Sequence, residues 1–524
     1  MLLLVPLLLF TGLLALAYCR LAVSRTIKGP RHLPLLGATL EAMSTVDRHH
    51  DWITDYAYKF GTFEMTLGVF PAWRRLIYTC DPANLQHFLK TNFNNYYKGT
   101  FAYELQNEFL GKGIFNSDGE TWKQQRKAAS FQFSNTVLRR HSLQCFRKNG
   151  LKLANLLAEK IASQQNQVNM SELFMRLTFD SICEVGFGVE MQTLSVSMPI
   201  LPFAAAFDSA NVIVSTRFFN PFWKLHRFFN VGVEAKLKKD VLLLNQFTST
   251  LIQKRREEIN SNTSHGMSKN EHSDLLSRFL VMDKESAIDD ANVRLRDFII
   301  NFVIAGRDTT SIALSWLLYL VSNRPQVQAK ILQELQGIWQ KKVEGNMQYL
   351  EDHSHENQAC CNKCIEAYGA SLDFEALASM QYLHATLCET LRLYPVVPED
   401  GKMAYQSDVL PDGTHVNRGD VVIFAPYAMG RMKNLWGIDA LDFNPERWLK
   451  DGVFEPQSPF KFSAFQAGPR ICLGKDFAFL QMKMTAAILL KSFKFHRATN
   501  DDVKYRMALT LAMSKGLEMF VEWR

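Results

Sequence analysis

The sequence contains no Gly-x-Gly-x-x-Gly run and no Gly-rich loop ending in Gly-Lys-Ser or Gly-Lys-Thr. Neither backbone cradle for nucleotide phosphates is present, so no nucleotide site is visible in the chain itself. No internal repeat divides it, which argues against stacked-repeat architectures. Charge of one sign is also scarce. Fifty-nine Lys and Arg face 52 Asp and Glu, a net +7 spread over 524 residues. That is too dilute to argue for nucleic acid; an anionic membrane, an acidic redox partner or an ordinary solvated surface accounts for it equally. The nine cysteines (19, 80, 145, 183, 360, 361, 364, 388 and 472) are odd in number and scattered. They form no disulfide framework and point to a reducing compartment.

What is present is apolar mass. Hydrophobic residues make up 47% and charged residues 21%, which excludes a disordered chain. Thirty-eight phenylalanines suit an extended apolar interior or cavity. Length alone suggests about three domains. Residues 1–19 carry no charge and are almost wholly apolar, close to the shortest span of a bilayer. Arg20, Arg25, Lys28 and Arg31 follow, which places the rest of the chain in the cytosol by the positive-inside rule. A cleaved signal peptide is the rival, because Ala15-Leu16-Ala17 imitates a cleavage site, but a basic leading region is missing. The expected division is a transmembrane signal anchor over 1–19, a basic and proline-containing hinge over 20–37, and a catalytic body over 38–524. Sequons at Asn169 and Asn262 would be used only in a lumen.

One loop carries chemistry. Phe465-Gln466-Ala467-Gly468-Pro469-Arg470-Ile471-Cys472-Leu473-Gly474 fits F-x-x-G-x-R-x-C-x-G. By chance that pattern would occur in such a chain roughly once in ten thousand cases. After it, Leu473, Phe477, Leu480, Met484 and Ile488 recur at helical spacing. A cysteine in a glycine loop entering a helix N-terminus is placed to be a thiolate, here read as the axial ligand of a haem iron. A buried free cysteine is the plain alternative.

Residues 297–320 read as a long apolar helix with Ala305-Gly306-Arg307-Asp308-Thr309-Thr310 at its centre. The small side chains of Ala305 and Gly306 would admit something flat, beside the Asp308 carboxylate and the Thr309 hydroxyl. A threonine bonded back to a carbonyl beside a satisfied ion pair is the structural alternative. Trp122 and Arg126, four apart, share a helical face and can both donate to a carboxylate, or simply stack. Glu389 and Arg392, three apart in an apolar helix, require pairing, which Arg447 can join. Residues 217–239 mix aromatics with cations, as a segment in a membrane interface or a core-facing helix would. His353, His355, Cys360, Cys361 and Cys364 imitate a zinc cluster, but the spacing fits no standard finger and a loop insertion is favoured. Strands are expected near 62–65, 76–78, 409–416 and 421–424, with a hairpin from 507 to 523 turning at 514–516.

In this order these motifs resemble a cytochrome P-450, a haem-thiolate monooxygenase of the membrane-anchored eukaryotic type. More narrowly, Phe302 to Thr310, Tyr427 to Met432 and Phe462 to Arg470 are similar to plant long-chain fatty-acid ω-hydroxylases. The resemblance implies a mainly α fold with small β-sheets, one catalytic domain in place of three, behind the anchor. It implies haem b on Cys472 and a haem cradle of Phe465, Gly468, Gly474, Ala305 and Gly306. Trp122, Arg126 and Arg470 would hold the propionates, Thr309 and Asp308 would relay protons, and Glu389, Arg392 and Arg447 would form a structural triad. It further implies O2 as co-substrate, electrons from NADPH through a cytochrome P-450 reductase, a lipophilic substrate such as a fatty acid, the endoplasmic reticulum membrane, and no nucleic acid. A haem-thiolate isomerase or dehydratase and a haem sensor stay open. The phenylalanine-rich stretches 101–115 and 203–219, with 511–513, are candidates for the pocket wall.

Overall fold

The computed structural model describes residues 28–69, 73–133, 136–199, 201–264, 274–282, 288–344 and 362–524. The expected anchor over 1–19, the first part of the hinge and most of the Cys/His cluster lie outside them. Among the described residues no helix is long and apolar enough to cross a membrane. Residues 28–37 lie along the first strand: Glu64 N donates to Lys28 O (2.8 Å) and Thr66 N to His32 Nε2 (2.9 Å).

The body is mainly helical with small sheets at its margins, as expected. The helices that build the site are α1 (Gly99–Leu110), α2 (Gly119–Phe133), α3 (Thr136–Ala162), α4 (Met170–Phe187), α5 (Pro202–Thr216), α6 (Trp223–Phe229) and α7 (Gly232–Ser264). They continue with α8 (Ile288–Val303), α9 (Thr309–Ser322), α10 (Gln381–Leu393) and α11 (Lys475–Ser492). Local chemistry sets several ends. The Asn169 side chain caps α4 by accepting from Glu172 N, and Gly188 ends it in the left-handed region that glycine adopts without strain. Pro202 opens α5, where its missing N–H costs nothing.

The eight strands that matter are β1 (Thr62–Leu67), β2 (Arg74–Thr79), β3 (Tyr96–Tyr97), β4 (Gln167–Asn169), β5 (Asp400–Ala404), β6 (Val421–Phe424), β7 (Phe493–Arg497) and β8 (Glu518–Trp523). One sheet has the order β1-β2-β6-β5-β3, with only β2 and β6 parallel (Leu76 opposite Val421). A second has the order β7-β8-β4. The expected terminal hairpin is therefore corrected. Residues 505 and 513 meet in a single bridge, while β8 turns away to pair with β7 and with β4, some 350 residues earlier in the chain. Alternating apolar residues in β8 (Met519 and Val521 buried) reward burial against whichever strands cover them, not the nearest in sequence.

The large core runs through α3, α4, α9, α10 and α11, and a smaller one lies under the first sheet. The stripe read in α11 understates it: from Phe479 on, its residues are buried almost all round, and Lys483 Nζ donates to Leu377 O (2.9 Å).

Candidate active site

The long central helix is not continuous. It begins at Ile288, well before the expected start, and α8 and α9 are joined by one π-helical turn, Ile304–Asp308. Such a turn shifts the ladder by one residue and releases carbonyls from their usual partners. Thr309 Oγ1 takes up one of them, donating to Ala305 O (2.5 Å). Ala305 and Thr309, four apart, share one face and are only part-buried. Gly306 packs against α4. A Cβ there would lie 2.6 Å from Ile182 Cδ1 of α4, so its bare position serves a helix crossing.

Asp308 and Arg307 are buried and fully partnered. Arg307 Nη1 and Nη2 donate to the Asp208 carboxylate of α5 (2.7 and 3.2 Å), and Nη1 also reaches Asp308 Oδ1 (3.0 Å). Asn211 Nδ2, one turn further along α5, donates to Asp308 Oδ2 (3.2 Å). Burial pushes the Asp308 carboxyl up to about 6, against the pull of Arg307. Sequence reasoning saw that this charged pair needed partners but could not name Asp208 or Asn211, which lie 97 to 99 residues away.

The cysteine loop is built as its pattern implies. Cys472 N donates to Phe465 O (2.8 Å), and Ile471 N to Gly468 O (3.1 Å). Gly468 has φ +64°, and a Cβ there would fall 2.0 Å from Leu89 O, so only glycine fits. Gly474, two residues after the cysteine, stands at the N-cap of α11. The thiol is solvent-accessible, yet protein surrounds it densely enough for burial to push it up, opposed by the Gly474 N–H and the Arg126 charge. A thiol with both properties faces an internal space.

Cations collect around that space. The Arg470 guanidinium stacks 4.3 Å over the ring of Trp122, and Nη2 donates to Asp118 Oδ1 (2.6 Å) and Ser117 O (3.0 Å). Trp122 therefore stacks with Arg470, not with the Arg126 of its own helix. Arg470 Nε is buried without a partner, as are Ser117 Oγ, Asn116 Oδ1 and Gln466 Oε1 on the adjoining segments. Burial lowers Arg126, which lies close enough to feel Cys472, and no carboxylate pairs with it among the described residues. Unpartnered buried groups are costly unless something else satisfies them. A thiol facing an enclosed space, one unpaired arginine and another with a spare donor fit a haem with two carboxylates. Nearby, Asp400 binds Lys98 Nζ (2.5 Å), Lys402 Nζ (2.6 Å) and Gln466 Nε2 (3.0 Å). Burial brings Lys402 down to about 7.

Beneath the loop, Arg392 Nε and Nη2 clasp the Glu389 carboxylate (2.7 and 2.8 Å). Arg447 Nε reaches the same group at 3.3 Å, and Trp448 Nε1 and Asn444 N add donors at 2.9 and 2.8 Å. Arg392 also donates to the carbonyls of Ala440 (2.6 Å), Asp442 (2.8 Å) and Gly430. The triad thus fastens α10 to residues 430–448, which lead to the cysteine loop.

The cytochrome P450 family model matches residues 27–519. Cytochrome P450 704B1 of Arabidopsis thaliana is 44% identical over 95% of this chain and 96% of its own length. Cytochrome P450 704C1 of Pinus taeda is 46% identical over 92% and 90%, and cytochrome P450 94A2 of Vicia sativa 34% over 94% and 91%. A fold of this order, a thiol facing an enclosed space and a match across almost the whole chain agree: the chain belongs to the cytochrome P450 family.

Proposed function

We propose that the protein hydroxylates the terminal carbon of long-chain fatty acids. Membership of the family brings haem b with a thiolate ligand, O2, and NADPH electrons delivered by a reductase. The overall change is R–CH3 + O2 + NADPH + H⁺ to R–CH2OH + H2O + NADP⁺. The haem supplies oxygen activation and the oxidising power for the C–H bond. Cys472 would hold its iron, with the loop N–H groups and the start of α11 favouring the thiolate. Arg126, Arg470 and Trp122 would take its carboxylates.

Asp308 carries the monooxygenase reading. A buried carboxyl near 6, held by Asn211 and Arg307, can take a proton and release it close to neutral pH. Thr309, on the next residue, would pass that proton on when its hydroxyl leaves the Ala305 carbonyl. The fatty-acid reading rests on the segment resemblances at 302–310, 427–432 and 462–470 and on apolar walls. The Phe-rich stretches meet, with Phe109 5.0 Å from Phe207 and Phe101 5.8 Å from Phe218.

We also place the protein on the endoplasmic reticulum membrane, with residues 1–19 as signal anchor and 38–524 as a single cytosolic catalytic domain. Supporting this, α6 and its flanks expose Phe222, Leu225, Phe228 (81%) and Phe229 beside Lys224, a mixture suited to a lipid interface. The test is incubation of membranes holding the protein and a reductase with fatty acids from dodecanoic to octadecanoic acid. Terminal hydroxy acids are expected. Absence of any hydroxylated acid, from protein with a thiolate-haem spectrum, would remove the substrate assignment and leave the cofactor standing.

A further inference from the structure

Behind the central helix lies a cavity of about 530 Å³, between α4, α5, α9 and residues 505–516. Arg307, Ser311 and Ser315, spaced by four, contribute to its wall, whereas Thr309 falls on the opposite face of the helix. None of Cys472, Trp122, Arg126, Arg470 or Ala305 borders it. Its volume is within the range of sites for small ligands, about 300–1,000 Å³.

The wall is amphipathic in a directed way. Met175, Leu201 and Ala204 give it apolar surface, and behind them Phe179, Ile312 and Trp316 are buried, the Trp316 ring stacked on Tyr394 (3.9 Å) and its N–H spent on Leu511 O (2.8 Å). Two acids border the cavity, and each is neutralised at its own cation: Glu172 by Arg176 (2.9 Å) and Asp208 by Arg307 (2.7 Å). Two cations are left. Arg506 and Lys515 also border it, and neither makes an ion pair with a carboxylate among the described residues, although Arg506 lies close enough to oppose the upward shift of the Asp308 carboxyl. Arg506 Nε is buried without a hydrogen-bond partner, and Lys515 is exposed at the rim. A desolvated guanidinium donor beside an apolar hollow calls for an anion with an apolar tail.

We propose that this cavity is a second ligand site, separate from the Cys472 side, for an aliphatic monocarboxylate. Its carboxylate rests on Arg506 and Lys515 and its chain on Met175, Leu201 and Ala204. A molecule seated there sets its negative charge close to the Asp208–Arg307 pair that steadies Asp308. The site stands on its own geometry and does not require that fatty acids be the substrate.

The test uses the haem-loaded full chain and dodecanoic acid bearing a photoreactive diazirine at its far end. Labelling is mapped by mass spectrometry, with imidazole saturating the iron. Labels are expected on the Glu172–Phe179 stretch of α4 or the Ser311–Trp316 stretch of α9. They should fall about tenfold in Arg506→Gln/Lys515→Gln, as loss of charge-assisted bonds implies, and be similarly weak with the dodecanol analogue. Lys515→Gln alone, at an exposed position, should show part of the loss should the double variant fold poorly. Labelling equal for acid and alcohol, unchanged in the variants, or confined to the Cys472 side would overturn the site. Terminal hydroxylation is read separately, so failure of the substrate assignment leaves this result distinct.

Discussion

Asn211 Nδ2 donates to Asp308 Oδ2 at 3.2 Å, joining α5 to the π-helical turn across 97 residues of sequence. Its own Oδ1 accepts from Leu509 N (3.3 Å), so the amide is fixed from both sides. A side chain held in that way sets where the Asp308 carboxylate points.

Asn211→Leu removes the donor and leaves one carboxylate oxygen short of a partner. A hydrogen bond to a charged group contributes about 1.5–3 kcal/mol, so product formed per NADPH should fall about tenfold, with peroxide rising in its place. In an Asp308→Asn background the same change should add little. Additive losses in the double variant would show that Asn211 acts elsewhere.

The Asp308 carboxyl, raised to about 6 by burial, gives a pH signature. It is protonated below that value and charged above it. Its contribution to folding is full below the ordinary aspartate range and is lost as pH rises through about 6. Coupling of NADPH to product should therefore change with an inflection near pH 6 that Asp308→Asn flattens. A profile that keeps its inflection in the variant would assign it to another group.

Glu389 offers both oxygens to Arg392 and one to Arg447, all within the protein interior. Glu389→Gln should cost about 3–5 kcal/mol, because two buried guanidinium groups lose their counter-charge. Arg447→Ala should cost less, since its bond is longer (3.3 Å) and its side chain keeps 11% exposure. Urea unfolding of the haem-loaded protein measures both, and equal losses would contradict the ranking.

Gly306→Ala has two opposed effects. Alanine favours a helix by about 1 kcal/mol over glycine, but the new methyl meets Ile182 and overpacking costs about 1–3 kcal/mol. Net destabilisation is expected, recovered by adding Ile182→Ala. A single variant more stable than the parent would show that α4 and the central helix have room to spare.

The chemistry was legible where it is local. The F-x-x-G-x-R-x-C-x-G loop, the i,i+3 pair Glu389–Arg392 and the small residues before Thr309 are set by contacts within a few residues. Their side-chain types therefore betray their geometry. Asp208, Asn211 and Asp118 reach the site only through tertiary packing, and single polar residues on amphipathic helices look like any solvated face. The π-helical turn leaves no mark on apolar periodicity because it moves hydrogen bonds, not side-chain types. The close approach of α4 at Gly306 is hidden too, since nothing near it in sequence announces Ile182. The pairing of β8 with β4 was hidden for the same reason: strand register follows burial, and the partners are far apart in sequence.

The central claim is that Cys472 ligates the haem. Its most direct test is the CO-difference spectrum of the reduced protein, compared with Cys472→Ala. The parent should show the band of a thiolate-ligated haem. The variant, folded as judged by its far-ultraviolet circular dichroism, should lose that band completely. A thiolate band surviving in Cys472→Ala would mean that another cysteine holds the iron and would contradict the site described.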